Sequence, residues 1–160
     1  MGEIKDIIPT IFPKDQAMKK VDFVNDVMKV ALLSGTYNEC KLQETVSYDD
    51  ISIHEISPLY GYHTGGLDAT GKGLHVDDQD YSVVYEMADV EGMKVVGGTL
   101  GPVRYGVLYD LSNDNHLVYI FNFGDDITVD DGADFKIKIN DGGLMKAKPY
   151  YDCDEDVLEK

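Results

Sequence analysis

Between Val103 and Lys146 short segments of alternating apolar and polar residues are cut apart by turn-forming residues, a pattern that reads as a row of antiparallel β-strands. Val103, Tyr105, Val107 and Tyr109 fall on one side of a pleat, with Arg104, Gly106 and Leu108 on the other. Ser112 to Asn115 is a predicted turn. Leu117 to Phe123 is apolar on both faces, which predicts a central strand covered on both sides. Phe135, Ile137 and Ile139 alternate with Lys136, Lys138 and Asn140, as in a strand with one dry and one wet face. Asp131-Gly132 and Asp141-Gly142 supply residues that tolerate positive φ where tight turns need them.

The first half of the chain is less regular. Met28 to Leu33 is a predicted strand closed by Ser34-Gly35, with a helical turn or two before it over Lys19 to Asp26. Ile51, Ile53 and Ile56 suit a short strand or a short helix equally. Pro58 to Gly73 reads as a long loop rich in Gly and Tyr, followed by strands at Tyr81 to Glu86 and Lys94 to Val96. Strands of this length at intervals of roughly ten residues predict a mainly β fold. The expected architecture is an antiparallel β-sandwich, jelly-roll or Ig-like, with at most one or two short helices.

Three regions are expected: an extended N-terminal arm over residues 1–20, a β-sandwich domain over 21–148 and an acidic C-terminal tail over 149–160. The arm carries Ile7, Ile8, Ile11 and Phe12, while Pro9 and Pro13 argue against a continuous helix through it. Such an arm either folds back or docks on a partner. Docking is the expectation taken here, with Ile7, Ile8, Ile11 and Phe12 as the interaction residues, and removal of residues 1–20 is expected to leave the domain folded.

Charge narrows the choice of partners. The net charge is −16, yet residues 1–29 hold five lysines and five acidic residues, so the imbalance belongs to the rest of the chain. With a single arginine, Arg104, and scattered lysines, that body is unsuited to a row of phosphates; nucleic acid and membrane are not expected as partners. No apolar run approaches the ~20 residues of a membrane helix, and the start has no basic segment leading into an apolar one, so no secretory signal is read. Cys40 and Cys153 lack metal-ligand or redox spacing, and free thiols are the expectation.

Several segments imitate chemistry. Gly66 to Gly73 matches a phosphate-binding loop up to its last position, but Gly73 stands where Ser or Thr would hold Mg²⁺, and Leu74-His75-Val76 does not open a helix. The aspartates in 77–80, 125–126 and 130–134 offer oxygen ligands of the kind calcium takes, without the spacing of an EF-hand; solvated turns account for them, and no metal or other cofactor is expected. His54, His63, His75 and His116 show no zinc spacing. No nucleophile elbow is present, and catalytic residues are not assigned. Tyr60 and Tyr62 either stack on sugar rings or cover one end of the sandwich, and the covering role is the simpler.

Four blocks taken together carry a resemblance. They are Met28 to Tyr37; His54-Glu55-Ile56-Ser57 with Gly61-Tyr62-His63-Thr64-Gly65-Gly66; Val103 to Tyr109; and Tyr119 to Gly124 leading into Phe135 to Ile139 and Gly143-Leu144-Met145. In order and spacing, Met28 to Ala147 resembles a family of small virion proteins of tailed bacteriophages and prophages, often encoded near the major capsid gene. The resemblance implies a structural subunit rather than an enzyme, assembled in the host cytoplasm into the virion. A homo-oligomeric capsid decoration or head-fibre-type protein bound to the major capsid protein or other virion proteins is the leading expectation. The alternatives are a tail fibre, tip or collar subunit, and a carbohydrate-binding β-sandwich using Tyr60 and Tyr62 with Ca²⁺ as helper.

Overall fold

The computed structural model describes residues 5–35 and 39–148, the side chains of residues 39 and 40 excepted. The acidic tail, Cys153, the Cys40 side chain and Thr36-Tyr37 therefore lie outside the described residues. The chain runs α1 (Ile11–Ala17), β1 (Met28–Leu33), α2 (Glu39–Glu44), two 3-10 turns (Tyr48–Asp50 and Ser52–His54), β2 (Leu67–Asp68), β3 (Gly73–Val76), β4 (Val83–Glu86), β5 (Val90–Lys94), β6 (Leu100–Asp110), β7 (His116–Val129), β8 (Asp134–Ile137) and β9 (Met145–Ala147). The mainly β, antiparallel expectation with two short helices is borne out.

The principal sheet has the order β2-β1-β6-β7. Its backbone is the hairpin of β6 and β7, joined by a turn in which Asp114 and Asn115 take φ of 51° and 58°, a conformation these side chains accept more readily than most. Both faces of this sheet are buried. Val30, Leu32, Leu108, Val118 and Phe121 pack with Tyr85, Met87, Val90, Val95, Phe135 and Ile137, which come from two smaller sheets, β3-β4-β9 and β5-β8, or from beside their strands. Ala31, Leu33, Tyr105, Val107, Tyr109, Leu117 and Ile120 form a second cluster, roofed by Leu42, Tyr48 and Ile51 with Ile7 and Ile11 at its margin. The arrangement is sandwich-like, with its second layer divided. Val103 joins the first cluster and not that of Tyr105, Val107 and Tyr109, because the β6–β7 ladder is irregular between Val103 and Tyr105.

Sequence reasoning placed the strand containing Leu117 to Phe123 at the centre, whereas β7 is at the sheet's edge. Its double-sided apolarity has another cause. Ile7 exchanges both backbone hydrogen bonds with Ile120, each 2.9 Å, and Leu117 N–H donates to the Val46 carbonyl at 2.9 Å. The edge is thus closed by two passing segments, which removes the exposed row of amides that invites aggregation. Apolarity on both faces reports cover, not the number of flanking strands.

The expected extended arm is corrected in the same region. Over residues 5–20 the chain lies along its own domain. Pro13 sits in the first turn of α1, where its missing N–H leaves no helical bond unmade. Phe12 is 3% exposed and meets Tyr85 edge-on at 5.9 Å, as Phe23 does at 5.2 Å. The Asp6 carboxylate accepts from the Tyr119 hydroxyl at 2.6 Å and the Asn122 amide at 2.8 Å. The Asp15 carboxylate, buried, meets His116 Nδ1 at 2.8 Å and accepts from Asn113 Nδ2 at 2.9 Å. Of the four apolar arm residues, Ile8 alone stays exposed.

Two consequences are measurable by denaturant unfolding. Phe12→Ala is expected to lower stability by about 3–5 kcal/mol, the cost of emptying an aromatic core site. Removal of residues 1–18 is expected to abolish cooperative unfolding, contrary to the sequence expectation that the domain survives loss of its arm.

Candidate functional site

The densest constellation of polar side chains is a latch built around Glu55. The two 3-10 turns end at this residue, and the following backbone is tied to the sheet by Ser34 N–H donating to the His54 carbonyl at 2.9 Å and Ile56 N–H to the Leu32 carbonyl at 3.0 Å. Glu55 then accepts three donors: the Tyr48 hydroxyl, the Tyr62 hydroxyl at 2.6 Å and the Gly65 amide at 2.7 Å. The Tyr62 oxygen in turn accepts from Leu32 N–H at 3.0 Å, and the Tyr109 hydroxyl donates to the Gly65 carbonyl at 2.6 Å. The Tyr48 and Tyr109 rings stack at 4.3 Å, only 9° from parallel. Gly66, at φ +94°, lies against the Val30 carbonyl, where any Cβ would collide with backbone.

The electrostatics of the latch follow from this geometry. Burial first, then the hydrogen bond to Glu55, pushes the Tyr48 and Tyr62 phenols far above the usual value. Tyr109 is pushed up to about 12, by burial and then by the charge of Glu55. Phenols so reluctant to ionise act as donors and not as bases or nucleophiles. Glu55, for its part, has its oxygens occupied by three donors. The chemistry of the latch is spent on holding β1, β6 and the 55–66 loop together.

Tyr62, offered by the sequence as a sugar contact, is 1% exposed and belongs to this latch, so the glycan role fails for it. Tyr60 is half-exposed, with φ of 59°, and its ring covers Gly98, where a Cβ would clash with ring carbons. Tyr62 is thus a core residue, and Tyr60 lies over a glycine. The loop that imitates a phosphate-binding motif leads into β3, and the Lys72 ammonium donates to the Asp26 carbonyl.

The aspartate clusters largely cap their own turns. Asp77 accepts from Gln79 N–H at 2.8 Å and Asp80 from Ser82 N–H and hydroxyl at 3.0 and 2.6 Å, while Asp131 accepts from Gly97 N–H of a distant segment at 3.1 Å. Among the described residues no group of three or more His, Cys, Asp or Glu side chains is arranged to hold a metal ion. His75 pairs with Glu86 at 3.2 Å on neighbouring strands.

Sequence reasoning missed a cleft of about 730 Å³ lined by Lys29, His63, Asp68, Asp89, Glu91 and Lys94 among others. It lies between β2 and β5, which belong to different sheets. Its charges are largely paired off: Lys29 with Asp68 at 4.0 Å, and Lys136 with Asp89 at 3.3 Å and Glu91 at 3.6 Å. Asp89 also accepts the Ile139 amide at 2.8 Å. Residues from four separate stretches form this cleft, and no local spacing announces it.

Set against protein-family models, curated proteins and solved structures, the chain matches none of them. Its own geometry is what a functional reading has to use.

Glu55→Ala is expected to cost about 3 kcal/mol or more, since two phenols and an amide lose their acceptor at about 1–3 kcal/mol each. Alkaline titration supplies a second check. The three latch phenols keep their protons beyond the ordinary value of 10.0, so the stability they confer is complete below that pH and is lost as pH rises past it. Phenolate absorbance should rise in two steps, the first with the folded signal intact. A second rise should coincide with unfolding.

Proposed function

We propose that this chain is a structural subunit of a tailed-bacteriophage particle, a capsid decoration or head-fibre-type accessory protein that stands on the outer shell. The observation that carries the reading is where three of the four resembling blocks meet. Leu32 of the first block donates to Tyr62 of the second, Tyr109 of the third donates to Gly65 of the second, and Val30 of the first receives Gly66 at backbone contact. The residues behind the resemblance are therefore those that assemble the scaffold. A building block needs that, and an enzyme of the same family would be expected to spend some of them on a substrate.

Charge supports the same reading. A net charge of −16 keeps crowded copies from sticking non-specifically and keeps the protein off packaged nucleic acid. Its partners in this reading are the major capsid protein or neighbouring virion proteins, and other copies of itself. Attachment draws on the exposed surface around Ile8 and not on Phe12, whose side chain is core. Ile8 contributes about 1.5–3 kcal/mol if fully covered by a partner.

Quantitative mass spectrometry of purified particles tests the proposal. Hundreds of copies per particle are expected of a head decoration protein; a dozen or fewer would move it to a tail fibre, tip or collar. Absence from assembled particles would overturn the reading altogether.

A further inference from the structure

The turn over residues 22–26, the end of β6 and the loop ahead of β3 meet at one corner of the principal sheet. Asp110 closes β6 there, in register with Met28 on one side and His116 on the other, and it is fully buried. Its Oδ1 accepts the Ser112 amide at 2.9 Å. Its Oδ2 is buried without any donor. The group within hydrogen-bonding reach of Asp110 is another carboxyl, that of Asp26. A buried carboxyl beside a second, half-buried one resists ionising, because the repulsion and its own lost hydration exceed the cost of keeping a proton.

The surroundings of the pair favour that proton. Asp26 is held in place by the Asp22 amide, which donates to its Oδ2 at 3.0 Å, and by the Lys72 ammonium on its carbonyl. The charged groups facing the pair are Lys72 from the loop ahead of β3 and Asp22 from the turn itself. From β7, His116 turns its Nδ1 to Asp15 of α1 at 2.8 Å, so that ring is engaged elsewhere. Lys72, the residue that gave the loop its false likeness to a phosphate site, is here an internal counter-charge.

We propose that Asp26 and Asp110 share a proton that clamps the 22–26 turn to the end of β6, and that loss of this proton at alkaline pH loosens the connection between α1 and β1. Burial above all, then the hydrogen bond and charge of Asp26, holds Asp110 far above the ordinary carboxylate value of 3.8. The folded chain thus keeps a proton that the unfolded chain releases above about pH 4. The corner's contribution is therefore complete in acid and declines as pH rises.

Urea unfolding of the whole chain and of Asp110→Asn, compared from about pH 5 to pH 9 at constant ionic strength, reads the clamp directly. The ratio of the two unfolding constants is expected to change with pH by up to about tenfold per unit, the parent chain losing ground, until the proton leaves. Amide exchange over residues 22–29 should accelerate with pH beyond its intrinsic rise in the parent and not in the variant. Asp26→Asn removes the same shared proton and should flatten the profile equally if Asp110→Asn fails to fold. Parallel pH profiles for parent and variants would overturn the proposal.

Discussion

One carboxylate, Glu55, sets the geometry of the first half of the molecule. By accepting from two tyrosines and an amide it fixes a loop of irregular backbone against β1 and β6, and it does so in a place where each of those donors would otherwise lack a partner. The 3-10 turns that roof one face of the sheet run directly into this residue. Tyr48, which Glu55 holds, stacks on Tyr109 and belongs to the buried cluster beneath. A hydrogen-bonded anion thus does for the upper face what apolar side chains from the smaller sheets do for the lower one.

The second governing constraint is the edge of β7. A long strand with both faces apolar and one side unpaired is an aggregation site unless something covers it. Here the cover comes from the chain's own beginning and from the segment before the first 3-10 turn, through backbone pairs at Ile7 and Val46. Asp6 and Asp15 reinforce the cover with bonds to Tyr119, Asn122, Asn113 and His116. What the proline pattern suggests is a detachable arm proves to be the closing element of the domain. The closed edge and the negative charge both keep copies of the chain discrete.

Strand existence was legible where alternation was clean, and β1 was placed to the residue. β6 and β7 were found with shorter bounds because charged or polar ends such as Asp125 and Asp126 carry no apolar signal although they extend the ladder, whereas β8 ends at Ile137, short of the alternation that runs to Asn140. β2 was missed inside a region read as loop and β3 at its far end and just beyond it: two- and four-residue strands with largely exposed side chains have no periodicity to detect. The arm was misread because a sequence window cannot see that Tyr85, far along the chain, offers Phe12 an aromatic partner. Asp110 fell between the predicted strand and the predicted turn, and the structure makes it the last residue of β6. Its burial depends on Asp26 and Lys72, which only the fold brings together.

The pairing of Ile7 with Ile120 also bears on how the chain is made. A ribosome delivers Ile7 long before Ile120, so their contact waits until β7 has emerged, and everything assembled earlier waits with an uncovered flank. Contacts so distant in sequence are slow to find one another. Nascent copies therefore pass through an interval in which that flank is bare, and the like charge of the translated body keeps them apart during it.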